Sequence, residues 1–133
     1  MAAYLDTSVL ASLFVVDAHS AQASAWLRRR GGAIAFSDWT LTEFTSAIAA
    51  VNRAGRLPAP MLATAEQGVD RWVARRGAAL AVAPEDVRLA RTMMQSTGEP
   101  LRAGDALHLA IIRRTGCSLA TFDNAMRRAA ADL

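Results

Sequence analysis

The alternation of short apolar runs with longer stretches of helical spacing constrains this chain more than any other feature. Ala2–Leu5, Ala33–Phe36, Leu80–Ala83 and Ser118–Thr121 read as short strands. Between and after them lie helical patterns. Thr7 or Ser8 can cap a first helix after Asp6. His19–Arg30 carries Ala21, Ala25 and Trp26 at helical spacing, stops in an arginine triplet and meets Gly31-Gly32. Ser37 and Asp38 open a long helix that runs to about Ala54 and ends at Gly55. Pro58 or Pro60 starts another, closed by Gly77 after Arg76, and Pro84 with Glu85 and Asp86 starts one that ends near Gly98. Gly104–Arg114, closed by Gly116, and Phe122 to the C-terminus complete the set. Such alternation argues for an α/β protein with a parallel sheet covered on both faces. At 133 residues, one domain spanning 1–133 can bury a core without disulfide or metal staples.

In open α/β sheets, ligand sites form at the carboxyl ends of the strands. Four acids fall where that geometry could gather them. Asp6 ends the first strand and Asp123 follows the last. Asp105 sits in the first turn of its helix, in RAGDALHLA, and Glu43 in the early turns of its own, in TLTEFTSAIAA. Carboxylates packed together cannot all stay ionised without a cation. Their oxygen donors suit a hard divalent ion, Mg²⁺ or Mn²⁺. Each acid also has a structural explanation. Asp6 can cap a helix, Glu43 can close a capping box with Thr40, Asp105 suits a helix first turn, and Asp123 can cap the last helix beside Asn124. Asp6 follows a strand meant for burial, and Asp105 shares a helix face with Ala106, Leu109 and Ala110. Burial makes these two the best candidate metal ligands.

Composition removes several chemistries. All fifteen cations are Arg, so no Walker-A lysine, Schiff-base lysine or lysine-dependent aspartyl-phosphate chemistry is available. Cys117, the single cysteine, excludes an internal disulfide and a cysteine zinc site, and reads as a small hydrophobe at the start of a strand. With only His19 and His108 there is no histidine metal triad, and His108 reads as a helix-face residue. Ser8 has no visible His–Asp relay. Trp26, Trp39, Trp72, Met93 and Met94 read as core or interface. No apolar run reaches the roughly 18 residues of a membrane span. Val9–Val16 lacks the basic flank of a signal peptide, so a cytoplasmic protein is expected. With the four acids set aside, eight acidic residues face fifteen Arg. An acidic pocket on a basic surface suits a polyanion approaching a bound metal. The clusters Arg28–Arg30, Arg75-Arg76, Arg113-Arg114 and Arg127-Arg128 equally suit helix C-termini.

YLDTSVL, TEF, GDALHLA and TFDNAM, in that order and spanning nearly the whole chain, resemble the PIN-domain nucleases, and among them the VapC-type toxins of bacterial toxin–antitoxin pairs. The resemblance implies a three-layer α/β/α sandwich around a short parallel sheet and Mg²⁺- or Mn²⁺-dependent endoribonuclease activity. It also implies an acidic site of Asp6, Glu43, Asp105 and Asp123, with Asp6, Asp105 and Asp123 holding the metal and Thr7, Ser8 and Thr121 as supporting hydroxyls. The partners it implies are an RNA substrate and a small cognate antitoxin, in a homodimer or a toxin–antitoxin hetero-oligomer. Arg102 and Arg113 flank the Asp105 helix and are the expected RNA contacts. Members of the family commonly continue into a further edge strand, and none is expected before Leu133. A PIN nuclease of RNA maturation or decay, and a non-catalytic RNA-binding module whose acids only cap helices, are the alternatives.

Overall fold

A computed structural model describes residues 1–132. Three short strands, β1 (Ala3–Leu5), β2 (Ile34–Ala35) and β3 (Ser118–Ala120), form a parallel sheet in the order β2-β1-β3. Tyr4 pairs with Ala35 on one side and Leu119 on the other. Seven helices accompany them: α1 (Thr7–Phe14), α2 (Ser20–Arg30), α3 (Asp38–Arg53), α4 (Ala59–Arg76), α5 (Pro84–Ser96), α6 (Ala103–Thr115) and α7 (Asn124–Ala131).

The central strand is buried on both faces, and its alternation sends successive side chains into different cores. Tyr4 joins Met93, Leu109, Ile111 and Met126 beneath α5, α6 and α7. Leu5 joins Leu10, Phe36, Phe44, Ile48, Val69 and Trp72 beneath α1, α3 and α4. The result is the expected α/β/α sandwich. No described helix is long and apolar enough to cross a membrane.

Two sequence expectations need correction. Leu80–Ala83 is not a strand; only an isolated parallel bridge joins Leu80 to Ser37. Side chains take the backbone groups that a ladder would use. Arg114 Nη2 donates to the Ala81 carbonyl at 2.8 Å, and the Ala83 amide donates to Asp86 Oδ2 at 2.8 Å. Glu43 is not part of a capping box. Thr40 closes that box with Ser37, whose Oγ accepts the Thr40 amide at 3.1 Å while Thr40 Oγ1 accepts the Ser37 amide at 3.2 Å. Of the large apolar candidates, Trp72 and Met93 are core, Trp39 is half-buried and Met94 is exposed. Cys117 is half-buried just before β3.

Candidate functional site

Parallel strands deliver their carboxyl ends to one rim, and helices start there. Asp6 leaves β1 and caps α1; Asp123 follows β3 and caps α7, its Oδ1 accepting the Met126 amide at 3.0 Å. Asp105 lies in the first turn of α6, and Glu43 faces the same opening from the second turn of α3. A cleft of about 290 Å³ is lined by Asp6, Thr7, Ser8, Glu43, Ser46, Ala47, Asp105, His108 and Asp123. An adjoining cleft of about 570 Å³ shares Glu43, Asp105 and Asp123 and adds Pro100, Arg102, Gly104 and Ala125. Four acids from four separated segments therefore meet, and Arg102 stands beside them. Arg113 does not. It occupies the last turn of α6 and lines a separate hollow with Met93, Leu101 and Leu109.

The acids are held in different ways. Asp6 is only 5% exposed, yet it is not an unpartnered charge. Its Oδ1 accepts Ser8 Oγ at 2.7 Å and the Val9 amide at 3.1 Å; its Oδ2 accepts Thr121 Oγ1 at 2.5 Å. Thr121 Oγ1 also accepts the Asp123 amide at 2.9 Å, which ties the ends of β1 and β3 together. The expected hydroxyls, Ser8 and Thr121, thus support Asp6, whereas Thr7 donates to Glu43 Oε1 at 2.8 Å.

Glu43 also takes a 2.5 Å hydrogen bond on Oε1 from His108 Nε2. Burial alone would raise its carboxyl, but the His108 and Thr7 hydrogen bonds and the His108 charge hold it below the ordinary glutamate value. An ionised Glu43 can only accept, so Nε2 carries a proton. Nδ1 of His108 meets the Tyr4 hydroxyl at 2.6 Å, and that hydroxyl also contacts Ser37 Oγ at 2.7 Å and Thr40 Oγ1 at 3.2 Å. Burial pushes the Tyr4 phenol up to about 12 despite the Ser37 and Thr40 bonds, helped by the Asp6 and Glu43 charges. Sequence reasoning missed this buried relay. The available signal was the spacing of His108, three residues after Asp105 and hence on the same helix face.

Asp105 is the least compensated of the four. Burial first, then the neighbouring Asp123 charge, raise its carboxyl above the ordinary aspartate value; Glu43 adds to this, while the Arg102 amide and His108 oppose it. Gly104 makes room beside it. A methyl group built there would overlap Glu43 Oε2 and stand 3.5 Å from Trp39, whose Nε1 donates to the Gly104 carbonyl at 3.2 Å.

Among the described residues, no three His, Cys, Asp or Glu side chains close into a ready metal cage. The donor set nevertheless fits a hard divalent ion. Mg²⁺ is normally bound through one or two carboxylates, with water and substrate phosphate completing its shell. A carboxyl whose charge is opposed by two neighbouring acids is where such a cation relieves most repulsion.

A parallel α/β/α sandwich with acids from four segments at one rim defines a class, and the sequence agrees. The chain belongs to the PIN domain family, whose sequence profile matches residues 3–132. Two solved structures share the fold. One is the toxin VapC20 of Mycobacterium tuberculosis, described as cleaving the sarcin-ricin loop, with a TM-score of 0.77 and 20% identity over 96% of this chain and 95% of that one. The other is FitAcB from Neisseria gonorrhoeae, with a TM-score of 0.71 and 19% identity over 97% of this chain and 93% of that one. A search of curated protein sequences finds no match.

Proposed function

We propose that this protein is a Mg²⁺- or Mn²⁺-dependent endoribonuclease, the toxin of a type II toxin–antitoxin pair that acts in the cytoplasm and is held inactive by a cognate antitoxin. The supporting observation is the shared cleft of Asp6, Glu43, Asp105 and Asp123, with the Asp105 carboxyl raised by its burial and by its acidic neighbours. Membership of the PIN domain family and a fold shared with a toxin described as cleaving the sarcin-ricin loop favour the nuclease and toxin reading.

Asp6, Asp105 and Asp123 would hold the divalent ion. When bound, the ion supplies positive charge that stabilises the phosphate undergoing in-line attack. Thr121 and Ser8 hold the Asp6 carboxylate by donating to Oδ2 and Oδ1. Thr7 and His108 anchor Glu43 through Oε1. That leaves Oε2 to orient or deprotonate the attacking water, the role of a general base. Arg102 would hold the RNA backbone at the rim. Association with an antitoxin, or as a homodimer, belongs to the same reading.

The direct test is Mg²⁺ or Mn²⁺ binding by calorimetry, with cleavage of single-stranded RNA, for the wild type, Asp6→Asn and Asp105→Asn. Both variants should fold, bind metal weakly and leave RNA intact. Cleavage retained in both would refute the assignment. Asp6 and Asp123 do cap helices, so a non-catalytic RNA-binding module is the reading to set against this one. It requires RNA binding indifferent to EDTA and no cleavage with any metal. Growth arrest on expression, relieved by co-expression of a small neighbouring protein, separates a toxin from a nuclease of RNA maturation or decay.

A further inference from the structure

Another pocket lies next to the acid rim, and of its lining only Thr121 has a part in the chemistry described so far. It measures about 230 Å³ and lies between α2, Val9 of α1 and the end of β3. Gln22, Trp26 and Arg29 line it from α2, at a spacing that places all three on one helix face. Leu119, Ala120, Thr121 and Phe122 line it from the end of β3, and Arg127 from α7.

The pocket is joined to the acid cleft through single residues. Thr121 lines it and donates to Asp6; Phe122 lines it and is followed by Asp123. The Phe122 ring is stacked on His19, with centroids 4.4 Å apart and planes 14° apart, which braces it at the mouth. Arg127 is fixed by bonds to the Thr121 carbonyl at 2.7 Å and to Asn124 Oδ1 at 3.0 Å. Arg29 is exposed in the triplet Arg28–Arg30 and forms no ion pair among the described residues. Two aromatic walls, an amide and two guanidinium groups in one open hollow form the recognition chemistry of an unstacked base and its phosphate.

We infer that this pocket is a nucleobase subsite: it takes one unpaired base of the RNA whose backbone crosses the acid cleft, with Trp26 and Phe122 contacting the base and Arg29 the adjoining phosphate. The inference rests on the RNA reading of the cleft. An acidic segment of a protein partner is the competing occupant.

The test uses the full chain in EDTA, so that no strand is cut, and a labelled single-stranded oligoribonucleotide of mixed sequence followed by fluorescence anisotropy. Loss of base stacking in Trp26→Ala should weaken binding about ten-fold. Trp26→Phe, which keeps an aromatic ring, should recover most of it and guards against misfolding of the alanine variant. Arg29→Ala, at an exposed position, should lower the slope of log affinity against log salt by about one. An oligomer with abasic sites should bind the wild type as weakly as the intact strand binds Trp26→Ala. Wild-type affinity in both Trp26→Ala and Arg29→Ala overturns the inference, as does equal binding of abasic and intact strands or no RNA binding at all. Loss of a co-expressed protein partner in Arg29→Ala, with RNA affinity unchanged, overturns it in favour of the peptide. If Trp26-dependent binding is found but no metal supports cleavage, the nuclease reading fails and the subsite stands. Cleavage with unaltered RNA binding in the variants has the reverse meaning.

Discussion

Gly104→Ala tests the geometry of the acid cleft with one methyl group. Within a helix, replacing Gly by Ala ordinarily stabilises by about 0.5–1 kcal/mol, because the unfolded chain loses less entropy. At this position the new Cβ would overlap Glu43 Oε2 and lie 3.4 Å from its Cδ. The carboxylate must swing away, yet its Oε1 is tied to His108 at 2.5 Å and Thr7 at 2.8 Å. Hydrogen bonds to a charged group contribute about 1.5–3 kcal/mol each when lost outright. The Glu43 side chain is 28% exposed, so water recovers part of that loss. The net effect should be a destabilisation of about 1 kcal/mol, opposite in sign to the usual helix effect. In a Glu43→Ala background the obstacle is gone, and Gly104→Ala should stabilise by about 0.5–1 kcal/mol. The double-mutant cycle therefore predicts a coupling of about 1.5–2 kcal/mol, measured from urea midpoints followed by tryptophan fluorescence. Equal stabilisation by Gly104→Ala in both backgrounds would refute the placement of Glu43 against the α6 backbone. On the nuclease reading, Gly104→Ala should also reduce RNA cleavage.

Three further outcomes follow from the charged and phenolic groups. Asp105→Asn should raise the thermal midpoint at neutral pH in EDTA. The Asp105 carboxyl is raised in the folded state by burial, Asp123 and Glu43, so ionising it costs stability; the advantage of the variant should shrink as pH falls and the wild-type carboxyl protonates. Asp86 has the opposite sign: burial raises its carboxyl, but the Arg114 hydrogen bonds at 2.8 and 2.9 Å, the Ala83 amide and the Arg114 charge hold it below the ordinary value. Its contribution is complete above the unfolded aspartate value of about 3.9 and is lost as pH falls through the lower folded value, so urea midpoints of the wild type should converge on those of Asp86→Ala in acid. Tyr4 is the only tyrosine and its phenol is pushed up to about 12, so tyrosinate absorbance should not develop in the native protein below pH 11, and its earlier appearance would contradict the buried relay to His108.

Much of this architecture was legible because strand and helix punctuation is local. The glycines after Arg30, Arg76 and Thr115 stop their helices near the expected residues, and Pro84 opens α5 where its fixed backbone angle predicts. The error at Leu80–Ala83 came from an interaction that no local pattern encodes. Arg114, about thirty residues on, reaches back to take the Ala81 carbonyl and leaves the segment without a ladder. Thr40 is a similar case, since both Ser37 and Glu43 stand three residues from it and the capping box forms with Ser37. His108 shows the limit most clearly. Its spacing from Asp105 was visible, but its partners Tyr4 and Glu43 come from β1 and α3.

Asp6 and Asp123 also show why a helix-capping acid and a cleft-lining acid could not be told apart from sequence: here each is both. A parallel strand that ends at the rim must be followed by a helix or loop that starts there, so the N-termini of α1, α6 and α7 all open on one cleft. The partial positive charge of a helix N-terminus offsets part of the repulsion between neighbouring carboxylates. Asp6 and Asp123 gain amide hydrogen bonds in the same position that brings them to the cleft. Glu43 lies beyond the first turn of α3 and cannot use that compensation, so Thr7 and His108 hold it instead. Asp105 lacks both an N-cap position and a side-chain donor, and it is the carboxyl with the raised value. Asp6, Asp123 and Glu43 are thus each held by hydrogen bonds from the protein, and on the nuclease reading Asp105 is the carboxylate whose charge a cation would balance.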